Sequence, residues 1–241
     1  MCSSDVDWWE VGTWEPDPVR FPNGIREVSD HAHANKMKMV LWFEPERVHP
    51  GSWLYTNHPE WLLSKGDGDK EIKNQWLTAH GGDVDKLLNL GDPTARQWLI
   101  DHIDNFLTKE GIDLYRQDFN IKPLGYWRNT DAPDRQGITE NQYVQGYLAY
   151  WDELRRRRPG MLIDSCASGG RRNDLETLRR AVPLLRSDFN QPNDPSKANL
   201  DVGNQGQTYG LSFWVPFYGT GVNYDDVYAV RSHLTPSPII I

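Results

Sequence analysis

The chain has 241 residues, of which 38% are hydrophobic and 12% aromatic, so it can enclose a sizeable core and is most simply one α/β domain over residues 1–241. Its formal charge of −8 disfavours a nucleic-acid surface, because phosphate binding needs clustered cations and the one dense run is Arg155 to Arg158. No run approaches the roughly 18 apolar residues of a membrane span, and the first residues do not resemble a signal peptide. We therefore expect a small neutral or cationic ligand, with neither nucleic acid nor membrane as a partner.

Tryptophan is unusually frequent, with eleven residues in the chain. Aromatic faces pack against the C–H side of sugar rings, while neighbouring Asp, Asn and Arg side chains bond the hydroxyls. The composition is therefore typical of a carbohydrate site, although any single tryptophan can equally belong to the core.

The first part of the chain predicts an aromatic loop over residues 5–22, a helix over 25–36 and a buried strand over 37–43. Charged residues follow that strand directly. Glu44 either lines a pocket together with Trp42 or forms a structural ion pair with the arginine that follows it.

The middle of the chain predicts a long irregular loop over 49–86, with one helical turn over 58–63, and then a strand over 87–91. A helix over 92–110 is indicated by a capping aspartate, a first-turn proline and a terminating Gly111. A second helix is predicted to begin with Thr139 and Gln142 as a capping pair and to end before Pro159.

Two strand-like stretches, 112–120 and 182–190, both end in Arg-x-Asp-Phe-Asn. Each therefore places an aspartate, Asp118 or Asp188, where a buried parallel strand would meet its loop, which is where α/β enzymes hold catalytic groups. Two carboxylates so placed suit acid/base or nucleophile/acid chemistry. The structural alternative is that each aspartate pairs with its own arginine two residues earlier, since residues i and i+2 share a face of a strand.

The remaining segments predict a strand over 161–166, a polar loop over 190–207, and strands over 211–218 and 227–234. Seven strands are predicted in all, near positions 40, 88, 115, 163, 185, 214 and 230. Eight parallel strands alternating with helices close a (β/α)8 TIM barrel, so we expect an incomplete barrel whose first strand is missing, in a fragment. A doubly wound sheet is disfavoured because its phosphate-binding glycine loop is absent.

Four motifs, in this order, resemble those of the glycoside hydrolase family 36 α-galactosidases: Trp-Phe-Glu-Pro-Glu at 42–46, Arg-Gln-Asp-Phe-Asn at 116–120, Cys-Ala-Ser-Gly-Gly-Arg-Arg-Asn-Asp at 166–174, and Arg-Ser-Asp at 186–188. The resemblance extends from about residue 14 to about residue 236. It implies a retaining α-galactosidase of clan D that acts on α-galactoside oligosaccharides with a catalytic barrel, no metal and no other cofactor.

The resemblance also implies roles for individual residues. Asp118 is expected to be the nucleophile and Asp188 the general acid/base, and Trp42 forms an aromatic wall of the galactose pocket. The other expected sugar-binding residues are Arg116, Asn120, Cys166, Gly169 and Arg172. Family members commonly have Lys-Trp-Asp in place of Arg-Gln-Asp, so a planar guanidinium stands where a lysine normally contacts a sugar hydroxyl.

Reasoning from the residues leads to the same reaction class, since glycoside hydrolysis uses two carboxylates without a cofactor, about 5–5.5 Å apart for retention and roughly 6.5–9.5 Å apart for inversion. Two alternatives stay open: another α-glycosidase, such as an α-N-acetylgalactosaminidase, and a catalytically inactive sugar-binding fragment. The flanking β-domains implied by the resemblance are absent from the chain. Localisation is undecided, and the sequence is compatible with a homo-oligomer.

Overall fold

A computed structural model describes residues 11–66, 84–190, 200–222 and 227–240 of the chain. The described residues form two compact units. The N-terminal unit contains those up to Tyr115 together with Phe119–Met161, and the C-terminal unit contains Arg116–Asp118 and those from Leu162 onward. In the part of the chain so described, no helix is long and apolar enough to cross a membrane.

The N-terminal unit alternates short strands with helices. Its elements, in chain order, are α1 (Arg26–Ala34), β1 (Val40–Phe43), β2 (Arg47–Val48), α2 (Trp53–Asn57), a 3-10 turn (Pro59–Trp61), β3 (Leu62–Leu63), β4 (Lys86–Leu88), α3 (Pro93–Glu110), β5 (Leu114–Gln117), α4 (Leu124–Thr130) and α5 (Ile138–Arg157). The last residues of β5, Arg116 and Gln117, belong to the C-terminal unit. The predicted strand near 40, and the helices beginning near 25, 92 and 139, are confirmed.

Helix α3 follows directly from its sequence. The Asp92 carboxylate accepts hydrogen bonds from the backbone N–H groups of Thr94 and Ala95 at 2.7 and 3.2 Å, which satisfies donors that a helix start leaves without partners. Gly111 ends the helix with φ 67°, a conformation in which glycine avoids the steric cost of a side chain. Of the apolar residues predicted at helical spacing, Leu99, Ile103, Phe106 and Leu107 are buried and Trp98 is half-buried.

Helix α5 begins differently from its prediction. The capping pair of Thr139 and Gln142 is wrong, because the N-cap is Gly137, which has φ 97° and makes no side-chain cap. Asp131, from the preceding loop, instead accepts hydrogen bonds from the Thr139 backbone N–H at 3.0 Å and from its hydroxyl at 2.6 Å. A side chain outside the helix therefore supplies the anion that its N-terminus favours.

Aromatic side chains form much of the core of the N-terminal unit. Phe43 on β1 lies between Phe106 and Tyr115, with ring centroids 5.3 and 5.2 Å apart. The buried Tyr150 on α5 donates its hydroxyl hydrogen to the Tyr115 oxygen at 2.9 Å, so the polar ends of both rings are satisfied within the core.

The strand predicted over 87–91 is not a barrel strand. Strand β4 pairs antiparallel with β2 on one side and β3 on the other, in a separate three-stranded sheet. Buried Leu87 and Leu88 resemble a parallel strand in sequence, because a short apolar run does not specify its partners. Within the described part of the loop predicted over 49–86, the 3-10 turn confirms the helical turn predicted over 58–63, whereas α2 and β3 were not predicted.

In the C-terminal unit the described elements are β6 (Leu162–Ser165), α6 (Leu175–Leu178), a 3-10 turn (Asp188–Asn190), α7 (Leu200–Leu211), β7 (Gly219–Val222), α8 (Val227–Ser232) and β8 (Ser237–Ile240). Strands β7 and β8 are parallel. The predicted strands near 115 and 163 are confirmed as β5 and β6.

The strand assignments beyond β6 are largely wrong. The stretch 182–190 makes a single parallel bridge, between Val182 and Asp164, and ends in the 3-10 turn. Helix α7 occupies much of the predicted polar loop and the start of the predicted strand over 211–218, and α8 occupies most of 227–234. Tertiary contacts override local propensity here, since α7 forms despite the glycines at 203, 206 and 210. Closure of a (β/α)8 barrel stays a prediction.

Candidate active site

The C-terminal unit aligns three backbone segments that lead to the predicted site residues. Cys166 donates its backbone N–H to the Gln117 carbonyl at 2.8 Å, which joins the end of β6 to the end of β5. On its other side, the Ser165 N–H donates to the Val182 carbonyl at 2.9 Å. Asp118, the turn after Cys166 and Asp188 therefore follow three adjacent segments, as expected of side chains at one edge of a parallel sheet.

The turn at Ser168 and Gly169 touches both predicted catalytic aspartates. The Ser168 N–H donates to Asp118 Oδ1 at 3.1 Å. A β-carbon built on Gly169 would lie 2.9 Å from the Asp188 backbone nitrogen and 3.4 Å from its Oδ2, so only glycine allows this approach. Both residues have positive φ, 45° at Ser168 and 82° at Gly169. A non-glycine residue in that conformation is strained, and such strain occurs often at functional sites.

The Cys166 side chain is buried beside this turn. Burial, followed by repulsion from Asp118 and from Asp188, raises the pKa of the Cys166 thiol to about 12. Both carboxylates are therefore close enough to act on the same sulfur, and the thiol is neutral near pH 7. Asp118 is half-buried and Asp188 is exposed, so the two aspartates differ in solvent access.

Arg116, two residues before Asp118, forms an ion pair with Asp164 on β6. Burial lowers the pKa of Arg116, but the combined attraction of Asp164, Cys166 and Asp118 outweighs it and raises the pKa overall. Arg116 thus bonds to a buried carboxylate that was not among the predicted site residues.

Arg186, two residues before Asp188, is directed towards helix α7. Its Nη1 donates to Thr208 Oγ1 at 2.7 Å and its Nη2 to the Asn204 carbonyl at 2.8 Å, and the guanidinium lies over the Tyr218 ring at 5.3 Å. These bonds explain why α7 packs where the sequence predicts a loop. The hydrogen bonds of Arg186 therefore favour an anchoring role over the predicted alternative of a local pair with its own aspartate.

Two predicted sugar-binding residues, Trp42 and Asn120, belong to the N-terminal unit. Trp42 is half-buried on β1 and meets Trp14 edge to face, with ring centroids 5.3 Å apart. The Asn120 backbone N–H donates to Glu44 Oε1 at 2.6 Å. Glu44 is itself bonded to Arg47 through both oxygens, at 2.9 and 2.7 Å, so the structure matches the ion-pair alternative for Glu44.

The remaining predicted residue, Arg172, is half-buried on the turn that follows Gly169. Sequence reasoning missed Asp164, Ser168 and Asn173, whose side chain donates to the Arg186 carbonyl at 3.0 Å. Asp164 did leave a signal, because a carboxylate inside an apolar strand is costly to bury without a partner. For the Ser168 backbone the sequence carries no comparable signal.

The chain is similar to known proteins over most of its length. A family model described as Melibiase matches residues 3–203. Alpha-galactosidase 2 of Pediococcus pentosaceus is 31% identical over 195 residues, which make up 80% of this chain and 26% of that protein.

Solved structures show the same fold. The crystal structure of an α-galactosidase from Lactobacillus brevis has a TM-score of 0.75 at 22% identity, over 95% of this chain and 30% of that one. A family 36 α-galactosidase from Geobacillus stearothermophilus, crystallised with stachyose, has a TM-score of 0.73 at 23% identity, over 96% and 31%. This chain thus spans about a quarter to a third of each relative. Because the family model matches well over half of its residues, the chain belongs to the melibiase family.

Proposed function

We propose that the chain carries the catalytic centre of a retaining α-galactosidase, which releases terminal α-linked galactose from oligosaccharides. The observation that carries the proposal is the convergence of Asp118 and Asp188 on the turn at Ser168 and Gly169. A relative named as an α-galactosidase and a family 36 structure crystallised with stachyose support the choice of substrate class.

In the first step, Asp118 attacks the anomeric carbon of the galactoside while the bond to the leaving oxygen breaks. Asp188 donates its proton to that oxygen, so the aglycone departs neutral and a galactosyl ester of Asp118 forms. The Ser168 N–H, 3.1 Å from Asp118 Oδ1, fixes the orientation of the nucleophile. The exposure of Asp188 suits a group that must exchange a proton with solvent between cycles.

In the second step, a water molecule attacks the same carbon from the face that the aglycone left. Asp188, now a carboxylate, accepts the proton of the water, and the ester bond to Asp118 breaks to release galactose. Two inversions at one carbon give overall retention of configuration. The enzyme returns to its starting protonation state.

The other predicted residues serve binding. In the C-terminal unit, Cys166 and Arg172 provide polar contacts to the sugar, and the sugar-binding roles of Trp42 and Asn120 in the N-terminal unit stay predictions from the resemblance. Gly169 keeps the turn close to Asp188 without a side chain in the way.

The test is turnover of p-nitrophenyl α-D-galactoside, with the β-galactoside and the α-glucoside as controls and the anomer of the first product followed by proton NMR. We expect release of α-galactose from the α-galactoside alone. Cleavage of either control with no cleavage of the α-galactoside would reject the proposal, and β-galactose as first product would reject retention.

A further inference from the structure

A buried carboxylate connects the segments that carry the two proposed catalytic aspartates. Asp164 on β6 is 2% exposed. Its Oδ2 accepts a hydrogen bond from Arg116 Nη1, and its Oδ1 accepts the Leu184 backbone N–H at 2.9 Å. Arg116 lies two residues before Asp118, and Leu184 lies four residues before Asp188. The Asp164 side chain therefore bonds to both of the segments that lead to the proposed catalytic aspartates.

Burial of the Asp164 carboxylate costs free energy, so its presence in the interior needs an explanation. Burial raises the pKa of Asp164, and repulsion from Asp118 acts in the same direction, whereas Arg116 opposes both. A buried ion pair contributes little net stability compared with apolar residues of the same size, so stability alone gives a weak account of it.

Arg116 acts on two carboxylates at once, because it bonds directly to Asp164 and also attracts Asp118. Both Asp118 and Asp188 act on the titratable Cys166, and the turn that contacts Asp118 through Ser168 also carries Arg171 and Arg172. Arg171 donates to the Ala167 carbonyl at 3.0 Å and to Ser168 Oγ at 3.1 Å, so its guanidinium is held by the turn.

The geometry points to Asp164 as a positioning residue that neutralises Arg116 and so preserves the reactivity of Asp118. With Asp164 ionised, the Arg116–Asp164 pair carries no net charge. Without that carboxylate, the full positive charge of Arg116 would act on Asp118, and a carboxylate that is more strongly stabilised as the anion attacks less readily. This inference rests on the proposed function, in which Asp118 is the nucleophile.

The test is the pH dependence of kcat/KM for p-nitrophenyl α-D-galactoside in Asp164→Asn, a variant that keeps the size and an acceptor for the Leu184 N–H. We expect the acid limb, which reports ionisation of Asp118 in the free enzyme, to move about one unit towards lower pH. The plateau should fall by up to about tenfold, since one pKa unit corresponds to a tenfold change. A purely structural role for Asp164 would lower the plateau and leave the limb in place.

Two further variants sharpen the test. Arg116→Gln removes the cation that attracts Asp118, so its acid limb should move towards higher pH, opposite to the shift expected for Asp164→Asn. Asp174→Asn is the matched control, because that carboxylate caps α6 through the Thr177 N–H at 3.0 Å and its limb should not move.

A direct readout does not depend on turnover. With ¹³C-labelled aspartate, the Asp118 carboxyl signal, assigned by its loss in Asp118→Asn, should titrate at lower pH in Asp164→Asn than in the wild type. An unchanged Asp118 titration in both Asp164→Asn and Arg116→Gln would overturn the inference. Failure of the proposed function is recognised separately, because the wild type itself would then not cleave the galactoside.

Discussion

Gly169→Ala should disturb the contact between the turn and Asp188. The added β-carbon would lie 2.9 Å from the Asp188 nitrogen, a backbone atom that cannot rotate away, and φ at this position is 82°. A side chain in the left-handed region costs about 1–2 kcal/mol, and overpacking of a tight contact costs about 1–3 kcal/mol. We therefore expect a loss of about 2–5 kcal/mol in the free energy of unfolding, or displacement of Asp188 to relieve the clash.

The chain offers a matched control for the backbone part of this cost. Gly160 has φ 88°, and a β-carbon built there meets nothing within 4 Å. Gly160→Ala should therefore lower the free energy of unfolding only by the cost of a side chain in the left-handed region, about 1–2 kcal/mol. Catalysis should be unchanged. The difference between the two variants isolates the contact with Asp188.

The measurements are urea unfolding of both variants and kcat/KM on the nitrophenyl galactoside. If the clash is kept, Gly169→Ala should be at least about 1 kcal/mol less stable than Gly160→Ala, because its β-carbon overpacks the contact with Asp188. If Asp188 moves away instead, Gly169→Ala should be at least about tenfold less active, because the acid/base group is no longer correctly placed. Equal stability and equal activity in the two variants would refute the close approach of Gly169 to Asp188.

Three further predictions concern the surroundings of the site and the fold. Arg47→Met leaves two buried carboxylate partners without their cation, so the free energy of unfolding should fall by about 3–5 kcal/mol in denaturant titrations; a loss below 1 kcal/mol would contradict the buried pairing. The Thr139 hydroxyl lowers the pKa of Asp131 below its ordinary value of 3.8, so the stability advantage over Asp131→Asn should be full at pH 7 and vanish as pH falls through the lowered pKa; thermal melts with no such convergence would contradict it. Cys166, in a chain whose other cysteine is replaced by serine, should resist iodoacetamide at pH 8 until the protein unfolds, and labelling at the rate of a small thiol would contradict its burial.

The sequence was most informative where a charged motif follows an apolar run. The ends of β1, β5 and β6, and the position of Asp118 directly after β5, could be predicted because buried strands and their polar exits form a recognisable pattern. Helix α3 could be predicted in full, since its cap, apolar stripe and terminating Gly111 all agree.

Prediction was poorest where tertiary contacts decide the structure. The four aromatic residues over 211–218 indicate a strand by propensity, yet α7 ends at Leu211 and its position depends on Arg186. Arg116 likewise forms an ion pair with Asp164, 48 residues away in sequence, which the motif does not indicate. A motif names the charged residues but does not show which of them bond to each other.

The roles of Asp118 and Asp188 are tested most directly by chemical rescue with azide, using an activated α-galactoside and proton NMR of the product. In Asp118→Ala, azide takes the place of the nucleophile, so the account predicts β-galactosyl azide. In Asp188→Ala, azide attacks the galactosyl-enzyme from the opposite face and should give α-galactosyl azide. The reverse assignment of the two anomers, or rescue of neither variant when the wild type is active, would contradict the proposed mechanism.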